Sequence, residues 1–186
     1  EVRDHLERHR EGEIVHELKL QTPVTRPHAQ FRLCRKTPEG TYLVPFSDEG
    51  AVREYNAQGE IIRNFPPLKF PVCAVRLPNG NTLISGDKTV TEYDIADNIV
   101  WQLNTAFDSP DIDIAIPAGV QRLPNGNTLV CNWGAKNKDG KKAAHIFELS
   151  TDKRVVWELV TDKIGKVATC QRLTDDLKPR AQKDYK

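Results

Sequence analysis

One nine-residue string constrains this chain more than any other feature. Arg76-Leu77-Pro78-Asn79-Gly80-Asn81-Thr82-Leu83-Ile84 returns almost letter for letter as Arg122-Leu123-Pro124-Asn125-Gly126-Asn127-Thr128-Leu129-Val130. A looser copy runs from Lys36 to Val44, and a fourth opens at Gln171-Arg172-Leu173 and then loses the pattern. Pro38 to Pro78 is 40 positions, Pro78 to Pro124 is 46, and Leu123 to Leu173 is 50. A second motif keeps step with the first: Glu92-Tyr93 precedes Ile99-Val100-Trp101, Glu148-Leu149 precedes Val155-Val156-Trp157, and Glu54-Tyr55 precedes Ile61-Ile62-Arg63. Tyr93 to Trp101, Leu149 to Trp157, Tyr55 to Arg63 and Arg8 to His16 are each eight positions apart.

The chemistry of one repeat is that of two hairpins. Asn and Gly tolerate positive φ, so Pro-Asn-Gly-Asn between short apolar runs such as Cys73–Leu77 and Thr82–Ser85 is a tight turn between strands. The second half repeats this, with a strand near Val90–Tyr93, a polar turn at Asp94–Asn98 and a strand at Ile99–Leu103. Each repeat is thus four short antiparallel strands, A to D. A period of about 40–50 residues with four strands is the spacing of a propeller blade. No long segment carries an apolar period of 3.6, so little helix is expected. The predicted fold is an all-β propeller of four-stranded antiparallel blades. Residues 1–20 supply strands C and D of one blade, 28–65, 70–103 and 116–159 supply three whole blades, and 167–173 supply one further strand A. Sharing a blade between the first and last pieces would leave it without strand B. The chain is therefore expected to cover about four blades of a larger ring, as one propeller domain or part of one.

Charge and composition remove several classes. The 186 residues carry a formal net charge of +1, so no global field attracts nucleic acid or an anionic membrane. The apolar fraction is 38% and the charged fraction 28%, polar for a globular domain but outside the disordered range. No run approaches the ~18 apolar residues of a membrane span, and no apolar segment follows a basic start as in a signal peptide. Cys34, Cys73, Cys131 and Cys170 fall in different repeats with no metal-type spacing, and they are expected to be buried, reduced thiols. No nucleophile elbow, phosphate loop or H-E-x-x-H motif is present, so no catalytic or metal set is assigned and the cofactor is left open.

In a propeller the D-to-A and B-to-C connections share one face, the A-to-B and C-to-D turns the other. The latter are uniform here, while Asn104–Ile116 and Asn132–Lys142 are long, and long ordered loops in compact folds carry function. Five residues near that face are candidate ligand contacts. His28 is expected to open strand A of the first whole blade, and Arg32 to lie within that innermost strand, where a charge needs a partner or an anion. Asp87 and Asn132 follow strand B in successive blades, as hydroxyl or cation ligands or as turn caps. Trp133 either stacks on a flat ligand or plugs the gap between blades. Asp108, Asp111 and Asp113 lack the EF-hand pattern and are expected to be a solvated loop, as are Lys136, Lys138, Lys141 and Lys142. Trp101, Trp157, Arg63 and His16 hold one blade position and are expected to pack between blades.

With Arg-Leu-Pro-Asn-Gly-Asn-Thr-Leu and Ile-Val-Trp-Gln/Val-Val-Trp-Glu in register, the chain resembles the quinoprotein-like (PQQ-like) β-propeller superfamily. The stretch His28 to Phe46 and the string Cys131-Asn132-Trp133-Gly134 are similar to secreted propeller proteins of Bacteroidetes with poorly defined function. The resemblance implies a periplasmic or secreted protein. It does not imply bound pyrroloquinoline quinone, since no residue here carries over as a ligand of that cofactor. The expected function is an exported binding module that recognises a small polar molecule, carbohydrate included, or a protein partner at the channel mouth. The alternative is a propeller enzyme of lactonase, lyase or sulfotransferase type using His28, Arg32, Asp87 and Asn132.

Overall fold

The repeated turns close as their chemistry dictates. In a computed structural model of the chain, which describes residues 2–8, 12–108, 111–136 and 143–173, Gly40, Gly80 and Gly126 share a φ of 85°. Only a residue without Cβ takes that conformation cheaply. In each of the two near-identical turns the glycine N–H donates to the leucine carbonyl three residues back, at 3.0 Å for Gly80 to Leu77 and 2.9 Å for Gly126 to Leu123. Asn79 and Asn125 accept from the backbone N–H two residues on, both at 3.1 Å. The other turn type is held the same way: Asn56 Oδ1 accepts from Gln58 and Glu60, and Asp94 Oδ1 from Ala96 and Asn98. Such side-chain-to-backbone bonds within a turn need no tertiary partner.

Between these turns the chain forms β1 (Val2–Arg8) and β2 (Ile14–Gln21), then β3 (Arg35–Lys36), β4 (Tyr42–Phe46), β5 (Ala51–Tyr55) and β6 (Ile61–Asn64). These are followed by β7 (Cys73–Arg76), β8 (Thr82–Gly86), β9 (Thr89–Tyr93) and β10 (Ile99–Asn104), then β11 (Ile116–Arg122), β12 (Thr128–Trp133), β13 (Ile146–Leu149) and β14 (Val155–Leu159). They make one two-stranded sheet and three four-stranded antiparallel sheets, each in sequence order. The described helix is a single 3-10 turn, Pro27–Ala29. β7 packs against β3 and β4, and β11 against β7 and β8, so the first strand of each sheet lies innermost. Val167–Leu173 runs beside β11, where the Gly119 N–H donates to Ala168 O at 2.8 Å. The arrangement is consistent with propeller blades.

The two joints between four-stranded sheets carry the same three contacts, and the outer one of these recurs between β2 and the first four-stranded sheet. Glu54 on β5 accepts at one oxygen from the Thr41 hydroxyl of its own sheet and at the other from Arg76 of the next. Glu92 on β9 accepts from Asn81 Nδ2 at 2.7 Å and from Arg122 Nη2 at 2.6 Å. The arginines are also bound to the carbonyls of Gly80 and Gly126 and the hydroxyls of Thr82 and Thr128. At the outer rim, His16 Nε2 meets Ala57 O at 2.8 Å, Arg63 Nη2 donates to Asp94 O at 2.7 Å, and Trp101 Nε1 donates to Thr151 O at 3.1 Å. Near the axis, the buried hydroxyls of Ser47 and Ser85 donate to Pro71 O and Ala118 O. Apolar side chains fill the space between, with Leu43, Val52 and Phe65 against Ala74, Ile84 and Tyr93 at one joint. Leu83, Val90 and Leu103 meet Val130, Phe147 and Leu149 at the next.

The third four-stranded sheet carries the same seat without the same cover. Ile146 and Leu159, which correspond to the buried Val90 and Leu103, are only half-buried. Trp157, which corresponds to Trp101, is 49% exposed. Glu148 accepts from Asn127 Nδ2 at 2.6 Å as Glu92 does from Asn81. These differences give a direct check of the joint. Glu92→Gln replaces a carboxylate held by a mostly buried arginine and should cost about 2 kcal/mol in chemical denaturation. Glu148→Gln should leave the midpoint of this chain within about 0.5 kcal/mol.

Candidate functional site

Four chain segments converge on one axis: β3, β7, β11 and Val167–Leu173. The repeat register places Arg35, Val75, Gln121 and Gln171 at one level, each directly before the Lys36, Arg76, Arg122 or Arg172 of its copy. These four line a cavity of about 240 Å³ together with Thr169 and Arg122. Gly119 permits the fourth segment to come this close. A Cβ there would lie 2.8 Å from the Thr169 Cα, so a side chain would push the strand away. The glycine sits where the register between β11 and β12 shifts, between Pro117 and Val120.

Arg35 projects across this space. Its Nη1 donates to the Cys34 carbonyl at 3.2 Å and its Nη2 to the Thr169 hydroxyl at 3.4 Å. The backbone N–H of Arg172 donates to Gln121 Oε1 at 2.9 Å. Val75, Leu77 and Val120 provide an apolar wall. Arg122 contributes little net charge, because its guanidinium is bound to Glu92 and lies over the Trp101 ring at 4.7 Å. The chemistry on offer is a cation, a hydroxyl and amides around a small, partly apolar hollow.

The residues singled out from the sequence stand elsewhere. His28 does not open a strand: with Pro27 at its first position the segment closes as the 3-10 turn, and the imidazole is exposed. Arg32 is half-buried beside β4, its N–H donating to Pro45 O at 3.1 Å and its guanidinium 5.9 Å from the Phe70 centroid. Asp87 sits in the β8–β9 turn, paired with Lys69 Nζ at 2.8 Å. Asn132 is fully buried, and its amide is occupied by backbone groups. Its Nδ2 donates to Asp113 O and Ala144 O, and its Oδ1 accepts from Ala115 N at 2.8 Å. It thereby anchors the returning end of each long loop to the strand between them. Trp133 packs against the cluster of Val72, Ala118 and Cys131, with Lys166 Nζ 5.4 Å from its ring. All five belong to the end of the sheets where the β4–β5, β8–β9 and β12–β13 connections lie. The cavity opens beside Pro78, at the opposite end. Long loops marked one end in the sequence; nothing in the uniform turns marked the other, and only the strand register reveals that Arg35 faces the axis.

Of the loop acids, Asp108 is tied down and Asp111 is exposed. Asp108 accepts from Asn104 N at 2.7 Å and pairs with Lys153 at 2.8 Å. Among the described residues, no group of three His, Cys, Asp or Glu is placed to hold a metal ion. Lys138, Lys141 and Lys142 lie outside the described residues. No helix among the described residues is long and apolar enough to cross a membrane.

All four thiols are free; Cys73 and Cys131 are buried, Cys34 and Cys170 half-buried. Burial pushes Cys34 up to about 12, against the opposing charge of Arg35, and raises Cys73 for the same reason. The Cys131 thiol donates a hydrogen bond to the Cys170 sulfur, which raises Cys131 and lowers Cys170. Thiolate is the reactive form. Iodoacetamide at pH 8, followed by peptide mass spectrometry, should therefore modify Cys170 first and leave Cys73 and Cys131 protected in the folded chain. Asn132→Ala strands two buried carbonyls and an N–H and should cost about 3 kcal/mol in denaturation.

No family model and no curated protein matches the sequence. Solved structures do. A protein of unknown function from Bacteroides caccae superposes with a TM-score of 0.77 at 27% identity, over 88% of this chain and 62% of that one. The fold is β-propeller-like. The chain thus spans about three-fifths of the length of that structure, 62% of it. The extracellular domain of a hybrid two-component system from B. thetaiotaomicron matches with a TM-score of 0.56 at 14% identity, over 88% of this chain and 22% of that one. Inactive virginiamycin B lyase from Staphylococcus aureus, solved with quinupristin, matches at 0.53 and 12% identity, over 83% and 47%. At these last two identities the likeness is one of fold.

Proposed function

We propose that this chain is an arc of a larger propeller of the quinoprotein-like kind, and that it is an exported binding module taking a small polar ligand on the channel axis. One observation carries the binding reading: polar side chains from three separate chain segments, Arg35, Gln121 and Thr169, converge on one cavity that is also lined by apolar residues. A few convergent polar groups over an apolar wall are the usual make-up of a small-molecule site. The larger ring is supported by the open seat at Ile146, Trp157 and Leu159. It is also supported by the greater length of the Bacteroides caccae protein. Export is supported by the sequence resemblance and by the extracellular neighbour. In this reading Asp87, Arg32, His28 and Trp133 form the rim at the other end, where a protein partner would meet the long loops, and Asn132 holds those loops in place.

The test is a plug. Val75→Trp places an indole in the cavity while leaving β7 hydrogen bonding intact. A panel of small sugars, amino acids and carboxylic acids is titrated into labelled protein, following the side-chain amides of Gln121 and Gln171 by NMR. At least one class should give saturable shifts in the wild type and none in Val75→Trp. Binding that survives the plug in a folded variant places the ligand elsewhere.

A further inference from the structure

Among the described residues, Arg32, Arg35 and Arg172 stand without a carboxylate partner, and of these three only Arg35 lines the axial cavity. Arg26, Arg53, Arg63, Arg76, Arg122 and Arg154 each pair with a carboxylate, at Asp48, Glu49, Asp97, Glu54, Glu92 and Asp152. Arg35 faces the cavity and, among the described residues, meets only the Cys34 carbonyl and the Thr169 hydroxyl. Neither contact carries charge, and the second is long at 3.4 Å. No Asp or Glu lines the cavity. Its other guanidinium, that of Arg122, is already neutralised by Glu92.

A guanidinium remains protonated at any ordinary pH and cannot shed its charge on burial. It has five N–H donors in a fork that fits a carboxylate. The two contacts named above use two of them among the described residues. Thr169, Gln171 and Gln121 add a hydroxyl and two amides around the same hollow, and Val75, Leu77 and Val120 keep bulk water from one side. Restricted water strengthens the attraction of the cation for an anion. The size is also selective. At about 240 Å³ the cavity falls below the ~300–1,000 Å³ of sites for drug-sized ligands.

We infer that the axial cavity is a receptor site for a small carboxylate, with Arg35 as its counter-ion and Thr169 and Gln171 as neutral partners. This rests on the binding reading above and names its ligand class. The carboxylate accepts from the Arg35 fork, and the short carbon chain lies along Val75 and Val120. Such a module would sample organic acids rather than neutral sugars.

Acetate and succinate are the probes, with sulfate and glucose as comparisons, all at constant ionic strength and pH 7. The readout is the NMR signal of Arg35 Nε–H and the side-chain amides of Gln121 and Gln171. Succinate or acetate should shift these signals saturably. Arg35→Gln should weaken the affinity at least tenfold, and Arg35→Lys should fall between, since it keeps the charge but loses the fork. Thr169→Val, which removes only the hydroxyl, should weaken it a few-fold and covers the case in which the Arg35 variants unfold. Carboxylate binding unchanged in folded Arg35→Gln overturns the assignment, as does sulfate saturating the site more tightly than either carboxylate. If glucose moves the same signals and the carboxylates do not, the binding module stands and the anion reading falls. If no probe saturates and Val75→Trp changes nothing, both fall.

Discussion

A glutamate on the third strand of a sheet, gripped by a turn of its own sheet and by an arginine of the next, is the interaction on which this architecture depends. A four-stranded sheet has two faces to bury, and apolar packing alone would let neighbouring sheets slide. The Glu54–Arg76 and Glu92–Arg122 pairs fix the register of each sheet against the next. Both pairs are largely removed from water, so each charge would be costly without its partner. The arginine is in turn fixed by the carbonyl of the glycine turn and a threonine hydroxyl, so the turn that closes one hairpin also aims the side chain that docks the whole sheet. Local turn chemistry and tertiary assembly are thereby coupled through one residue per repeat.

That coupling explains why the outer contacts tolerate chemical variety. His16, Arg63 and Trp101 share nothing but an N–H at the tip of a long, flat side chain, and each reaches a turn carbonyl of the following sheet. Geometry set by the inner joint decides where the carbonyl sits. Any planar donor of sufficient reach then satisfies it. Trp157 presents the same donor at the exposed end of the series.

The same geometry makes the axis chemically distinct from the joints. Residues one position before the joint arginines turn inward, and here selection for docking does not apply. Arg35, Val75 and the glutamine pair Gln121 and Gln171 accordingly differ in chemistry, although the residues that follow them are all basic across the copies. Variation at one register position within a regular scaffold is where a repeat protein places recognition.

Much of this was legible in the letters. The hairpins, their order and the four-strand period follow from Pro-Asn-Gly-Asn and from asparagine and aspartate side chains that bond two residues on, all local effects. The equivalence of His16, Arg63, Trp101 and Trp157 was legible too, from spacing alone. What tertiary structure decided is where side chains with non-local partners end up. Asn132 read as either a ligand contact or a turn cap, and two loops bring carbonyls to its amide and bury it. His28 read as the start of a strand, but the chain turns at Pro27. Gly119 and Arg35 carried no signal, since the close approach of Thr169 and the span across the axis depend on strands far apart in sequence. Sequence determines conformation where a residue's partners are its neighbours in the chain. Where the partners arrive from another sheet, packing assigns the role.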